Sequence, residues 1–267
     1  MPSDAMFTYL LSIALISVRV AALFVAFPFY AHTAIPAMVK VFCTMAFAVA
    51  LYPAVGPTLP QWSASNLPLV SEIFSRVVME FAVGVGMGLV ARWIFSSVIA
   101  SAHWVGTQMG FSMGGVLSPD IGEDSSSWAE YLNWMAILIF LSVGGHHMIL
   151  SALKDSYLVN MNDAISALGS AERGTAFWIE TGSTFFAWML KLSAPMVVVV
   201  LLLQAGLGVL SKFVPQINLW IVSIPITLGV GVLVFTMLSP MYGDALTELF
   251  KVEQEFQYSW LKYLGAG

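Results

Sequence analysis

Four charged side chains stand inside or at the ends of apolar segments: Arg19, Glu80, Arg92 and Lys191. A charge in such a setting is costly and marks either a pairing or a functional path such as a proton relay. No run of carboxylates traces a relay, so the four are read as buried charges in one or two interhelical ion pairs, with long side chains that snorkel. His146 and His147 raise the question of a metal. Adjacent helical residues point about 100° apart and do not easily share an ion, no HExxH pattern accompanies them, and His32 and His103 lie in unrelated segments. They are expected to be satisfied interior or interfacial histidines, and no metal is assigned. GVGMG at 84–88 has the look of a nucleotide loop, yet it lies within a helical apolar run with no strand before it and no acidic partner for a ribose. Gly84 and Gly88 are expected instead to form a small-residue face for helix packing, and Gly206, Gly208, Gly229 and Gly231 to serve packing too. No nucleophile elbow, catalytic triad or intramembrane aspartate pair is found. No catalytic residue is assigned and no cofactor is expected.

The stretch GFSMGGVLSPD, 110–120, poses a different problem. Its glycines and proline make it a poor helix, and its near lack of charge makes it an unusual loop. Irregular backbone at membrane depth is tolerated only where protein buries it or a cavity borders it. Phe111, Met113, Val116 and Leu117 could seal against apolar walls, and the unbranched Met109 and Met113 could close around a variable object. The residues alone leave two readings open: a buried helix–helix connection, or the closure of a passage.

Composition says what must position these residues. Of 267 residues, 59% are hydrophobic and 9% charged, with a mean hydropathy of +0.86. Soluble domains carry about 25% charged residues, so this chain belongs in a bilayer or inside a larger apolar assembly. A net charge of -5 argues against nucleic acid, which calls for a basic stripe. The lone Cys43 excludes an internal disulfide framework. A helix needs about 20 apolar residues to span a bilayer, and candidates fall at 5–29, 37–52, 72–108, 128–153, 176–211 and 216–240. The N-terminal stretch opens with Asp4 rather than Lys or Arg and its apolar run continues past Arg19, which suits a retained helix rather than a cleaved signal. Pro28, Pro195 and Pro225 should kink helices or free backbone groups that a neighbour must satisfy. Residues 53–68 and 154–174 read as connections, the latter with room for one short helix. No linker is long enough to separate a second domain, so 1–267 is read as one helical membrane-protein domain. In the tail, 244–264, Leu249, Val252, Phe256, Trp260 and Leu264 recur at helical spacing among charges, as in an amphipathic helix on a partner or a membrane surface.

The blocks VGTQMGFSMGGVLSPD, YLNWMAILIFLSVGGHHMILSALKDSY and APMVVVVLLLQAGLGVLSKFVPQINLWIVSIP resemble the FliR family of flagellar type III export-gate proteins. The resemblance covers nearly the whole chain, and the first helix with Arg19, Pro28, Pro36 and Lys40 fits the same pattern. It implies an all-α fold of helical hairpins and kinked long helices, with much of the helical material above the membrane plane. It implies no catalysis, and a single copy joined to FliP and FliQ in a closed assembly at the bacterial inner membrane, within the flagellar basal body. FlhB would associate with that assembly and FlhA would lie below it. Unfolded flagellar export substrates would pass through. The loop 110–120 would be the pore plug, a role carried onto Gly110, Phe111, Ser112, Met113, Gly114, Gly115, Val116, Leu117 and Pro119. In the PQIN block, Pro215, Gln216 and Asn218 are expected to form a structural corner, the proline fixing a turn and the amides meeting freed backbone groups. The related injectisome export proteins share much of the pattern and stand as the alternative. A secondary transporter with a broken-helix site is the alternative from another class; it calls for an inverted repeat, and none is seen.

Overall fold

The computed structural model describes residues 2–27, 35–60, 62, 69–111, 127–213 and 219–265. Among these the chain forms eight α-helices and no strand: α1 (Pro2–Ala26), α2 (Ala37–Val55), α3 (Val70–Met109), α4 (Ser127–Ser142), α5 (Gly145–Asp155), α6 (Met161–Gly169), α7 (Ala171–Leu210) and α8 (Leu219–Tyr263). By length and composition five of them could cross a membrane, and α4 with α5 makes a sixth if that bent pair is one span. The expected all-α membrane protein is what forms.

Two expectations about the elements need correction. The helix expected at 128–153 is broken by a 65° bend. Gly144 takes φ +78 there, a left-handed conformation open to glycine and costly for other residues, and a Cβ on Gly145 would collide with the Phe140 ring. The tail 244–264 is not a separate helix but the end of α8, which runs through Pro225 and Pro240. Pro240 withdraws one N–H from the ladder. The carbonyl it leaves, that of Thr236, is met by the Ser239 hydroxyl at 3.0 Å.

The chain divides into two compact units, each built from separated stretches: Met1–Trp93, His146–Gly182 and Val252–Gly267 in one, Ile94–Gly145 and Ser183–Lys251 in the other. In the first unit, GVGMG is a two-sided joint on α3. A Cβ on Gly84 would stand 2.5 Å from the Arg19 carbonyl oxygen, and one on Gly88 2.7 Å from that of Leu23, so α1 lies backbone-close along that face. Gly86, two residues on and across the helix, leaves room for the Trp260 ring of α8. The indole Nε1 of Trp260 lies 3.4 Å from the Val83 carbonyl. The tail therefore buries Gln257, Trp260, Leu261 and Leu264 within this chain, not on a partner or membrane surface. In the second unit Phe95, Phe140 and Phe250 form an aromatic core with centroids 5.1–5.3 Å apart. Tyr242 of α8 donates to the Leu192 carbonyl at 2.7 Å, beside Lys191, whose carbonyl loses its helical donor at Pro195.

The other glycines divide. Gly231 makes room for the Met109 side chain, whereas Gly206, Gly208 and Gly229 have nothing within 4 Å. Their expected packing role is not met within the chain, because they lie on faces of α7 and α8 that its own helices leave uncovered. The contrast can be measured. In detergent, Gly84→Val should lower the stability of the chain by about 1–3 kcal/mol, since the obstructing atom is backbone and cannot step aside. Gly206→Ala, which meets open space, should stabilise the helix by up to about 1 kcal/mol. Thermal unfolding of both variants beside wild type reads the difference, and equal losses would count against the close approach at Gly84.

Candidate functional site: the end of α3 and a buried charge cluster

An α-helix leaves its last four carbonyls without intrahelical donors. At the end of α3, in the second unit, each finds one. Gly110, at φ +92, reverses the chain. Its N–H bonds to Thr107 O at 3.2 Å and that of Phe111 to Gly106 O at 2.9 Å, the paired bonds of a Schellman motif. The amide Nε2 of Gln204, from α7, donates to Gln108 O at 3.1 Å. The hydroxyl of Thr227, from α8, donates to Met109 O at 3.1 Å. That hydroxyl also lies 2.9 Å from Ser223 O in its own helix, so its single proton is shared. Met109 is fully buried, and the Phe111 ring stacks on Trp128 at 5.6 Å, with Trp128 set edge-on to Phe235 at 4.7 Å. The helix end that carries the segment 112–126 is thus fastened on its polar side by α7 and α8 and on its apolar side by aromatic rings.

The first unit holds a polar cluster in an apolar core. Arg19 Nε donates to Glu80 Oε2 at 2.6 Å, and Arg76 Nε donates to the other oxygen, Oε1, at 3.0 Å. A second nitrogen of Arg19 reaches the Ser156 hydroxyl at 2.7 Å, and its guanidinium stacks 4.0 Å above the Tyr157 ring. Glu80 is fully buried with both oxygens engaged, the condition under which a buried charge is tolerated. The cluster ties α1, α3 and the turn after α5 together.

The residues singled out from the sequence fall into three groups. Gly84 and Gly88 pack on α1, and Arg19 and Glu80 form the ion pair just described. Arg92 and Lys191, expected to be buried, are exposed. Arg92 is twelve residues beyond Glu80, about a third of a turn around α3 at 100° per residue, and so faces elsewhere. Lys191 pairs at 3.0 Å with an exposed Glu248 and lies over the Trp188 ring. His146 and His147 are exposed too, not interior, with rings 4.1 Å apart. Among the described residues no group of three or more metal-ligating side chains gathers. Gly110 and Phe111 belong to the cap of α3, while Ser112, Met113, Gly114, Gly115, Val116, Leu117 and Pro119 lie outside the described residues, as do Pro215, Gln216 and Asn218. Sequence reasoning missed Arg76, Gln204 and Thr227. Arg76 could have been found, since it precedes Glu80 by four residues on one helix face.

Residues 10–252 match the model of the bacterial export proteins, family 1. The flagellar biosynthetic protein FliR of Bacillus subtilis is 24% identical over 252 residues, 94% of this chain and 95% of its own length. That of Escherichia coli is 27% identical over 235 residues, 87% and 85% of the two chains. The surface presentation of antigens protein SpaR of Salmonella typhimurium is 28% identical over 235 residues, 86% and 84%.

Three substitutions probe the two local sites. Arg19→Ala should cost about 3–5 kcal/mol by leaving Glu80 short of a partner in the core, and pairing it with Glu80→Ala should cost much less than the sum of the two single changes. Chemical or thermal unfolding of the four-member cycle measures this, and strict additivity would show that the pair is uncoupled. Thr227→Val, nearly the same shape, should cost about 1–3 kcal/mol because the Met109 carbonyl is left buried without a donor. A neutral outcome would mean that water or another donor reaches that carbonyl.

Proposed function

The chain belongs to the bacterial export proteins, family 1, and we propose that it is a core subunit of the flagellar type III protein export gate, joining FliP and FliQ in a pore at the bacterial inner membrane. The family is one of export components rather than enzymes, and relatives named for flagellar biosynthesis match nearly end to end. In this reading unfolded flagellar proteins pass through the pore, FlhB and FlhA act beside it, and the segment 110–119 closes it at rest. The observation that carries the closing role is the end of α3. Each of the last four carbonyls of α3 has a named donor, which gives the segment a fixed anchor, and its glycine-rich sequence is what a hinge calls for. A seal that yields to a passing chain needs both properties, and an apolar constriction of this kind excludes ions by excluding water. Assembly is supported by the large apolar side chains left exposed by the chain alone, among them Phe42, Leu202 and Met237 at about 70% of their surface.

A second reading keeps the mechanism and changes the machine. The match to the SpaR protein is of the same order of identity and coverage as the matches to flagellar relatives, so an injectisome gate is the alternative.

Deletion of Ser112 to Val116 should leave the complex with FliP and FliQ intact while making membranes leak small ions. Membrane conductance, secretion of a flagellar substrate and complex abundance are measured together. An assembled deletion variant that stays tight to ions would reduce 110–119 to a connection. Restoration of flagellar secretion in a strain lacking its own FliR distinguishes the flagellar from the injectisome reading.

A further inference from the structure

Glu253 and Gln257 sit one helical turn apart near the end of α8, and both are buried to within 1% of their surface. The amide Nε2 of Gln257 donates to Glu253 Oε1 at 2.9 Å and to the Met87 carbonyl of α3 at 3.0 Å, which occupies both of its N–H groups. Two buried oxygens are left with no hydrogen-bond partner, Glu253 Oε2 and Gln257 Oε1. Each is bonded to the same carbon as the atom already engaged in the bond between the two groups. No ion pair among the described residues includes Glu253. The contrast is with Glu80, equally buried in the same unit, which has an arginine nitrogen on each oxygen.

An ionised carboxylate buried with no cation is among the costliest arrangements in a protein, whereas a carboxylic acid gains a donor in its O–H. We propose that Glu253 carries a proton and closes a two-bond ring with Gln257, so that a neutral acid–amide pair clasps the end of α8 to α3. The Gln257 N–H donates to Glu253 Oε1, and the Glu253 O–H donates from Oε2 to Gln257 Oε1. One proton thereby satisfies both orphaned oxygens, and the second N–H of Gln257 remains on Met87 O. The clasp holds only in the acid form: without the proton, two bare acceptors would stand against each other in an apolar core. Glu253 is thus a proton-holding site, distinct in kind from the ionic cluster around Glu80.

The test is made on the full chain in detergent, in complex with its partners if these co-purify. An infrared difference spectrum, wild type minus Glu253→Gln, should show the carbonyl stretch of a protonated carboxylic acid and no loss of carboxylate bands. Loss of a carboxylate pair with no acid band would overturn the proposal. Thermal unfolding gives the second measure. Glu253→Gln should melt close to wild type, because its new amide N–H donates to Gln257 Oε1 as the acid does, while Glu253→Ala and Gln257→Leu should lose stability. A Glu253→Gln chain that falls as far as Glu253→Ala, or fails to fold, would show that a charged carboxylate is required and would overturn the proposal equally.

Discussion

At the end of α3 four backbone carbonyls have no intrahelical donor, and a carbonyl held away from water without one is costly. The chain supplies two of the donors locally, from the N–H groups of Gly110 and Phe111, and brings the other two from α7 and α8 through Gln204 and Thr227. With only 9% of its residues charged, the protein meets the same demand elsewhere. The Ser239 hydroxyl meets the carbonyl that Pro240 strands, and the Tyr242 hydroxyl meets a carbonyl in the turn that Pro195 disrupts. Pro240 and the turn around Pro195 are therefore placed where a side chain supplies a donor. The glycine-rich stretch that follows α3 in the sequence begins from such a place.

Side-chain charge obeys the same rule, and α3 is where it is applied. Along its first half, α3 carries Arg76 and Glu80, which complete the cluster with Arg19, and then GVGMG, which lets α1 and the end of α8 approach from two sides. The two functions are linked by position: the close backbone approach at Gly84 is to the carbonyl of Arg19, the residue whose side chain pairs with Glu80 one turn earlier. A larger residue at Gly84 would push away the backbone that delivers the guanidinium. Packing and pairing thus form one joint, which is why a motif resembling a nucleotide loop serves a structural purpose here.

How much of this was legible in the sequence depends on the range of the interaction. Long apolar runs marked the helices and small residues four apart marked a packing face on α3, because both are local patterns, while the partner on that face, α1, is set by the tertiary fold. The pairing of Glu80 with Arg19 could be narrowed to a few partners by cost alone, since a buried carboxylate needs a cation. Which cation it takes depends on tertiary geometry, and Arg92 and Lys191 proved to face outward. The break at Gly144 was hidden because an apolar run around two glycines reads as continuous when only hydropathy is followed. The single helix from Leu219 to Tyr263 was hidden for the opposite reason: Pro240 and a rise in polarity suggest an end, and only the Ser239 bond shows how the helix continues. Gln204 and Thr227 gave no signal at all, since a lone polar side chain on an apolar helix does not announce the carbonyl it will meet.

The three longest helices outreach a bilayer. The 40 residues each of α3 and α7 and the 45 of α8 correspond at 1.5 Å per residue to about 60 Å or more. The hydrocarbon core of a bilayer is about 30 Å thick, and helices tilt by about 20° on average. Each of these helices is therefore about twice as long as the hydrocarbon core is thick, and each contains a window apolar enough to cross it. On α7 and α8 the uncovered faces carry Leu201, Leu202, Val232, Leu233 and Met237, interrupted by glycines with open space beside them. Large apolar side chains alternating with glycine gaps are what two helices need in order to interlock at short range. In the proposed gate, apolar composition would thus serve protein–protein contact as much as membrane contact.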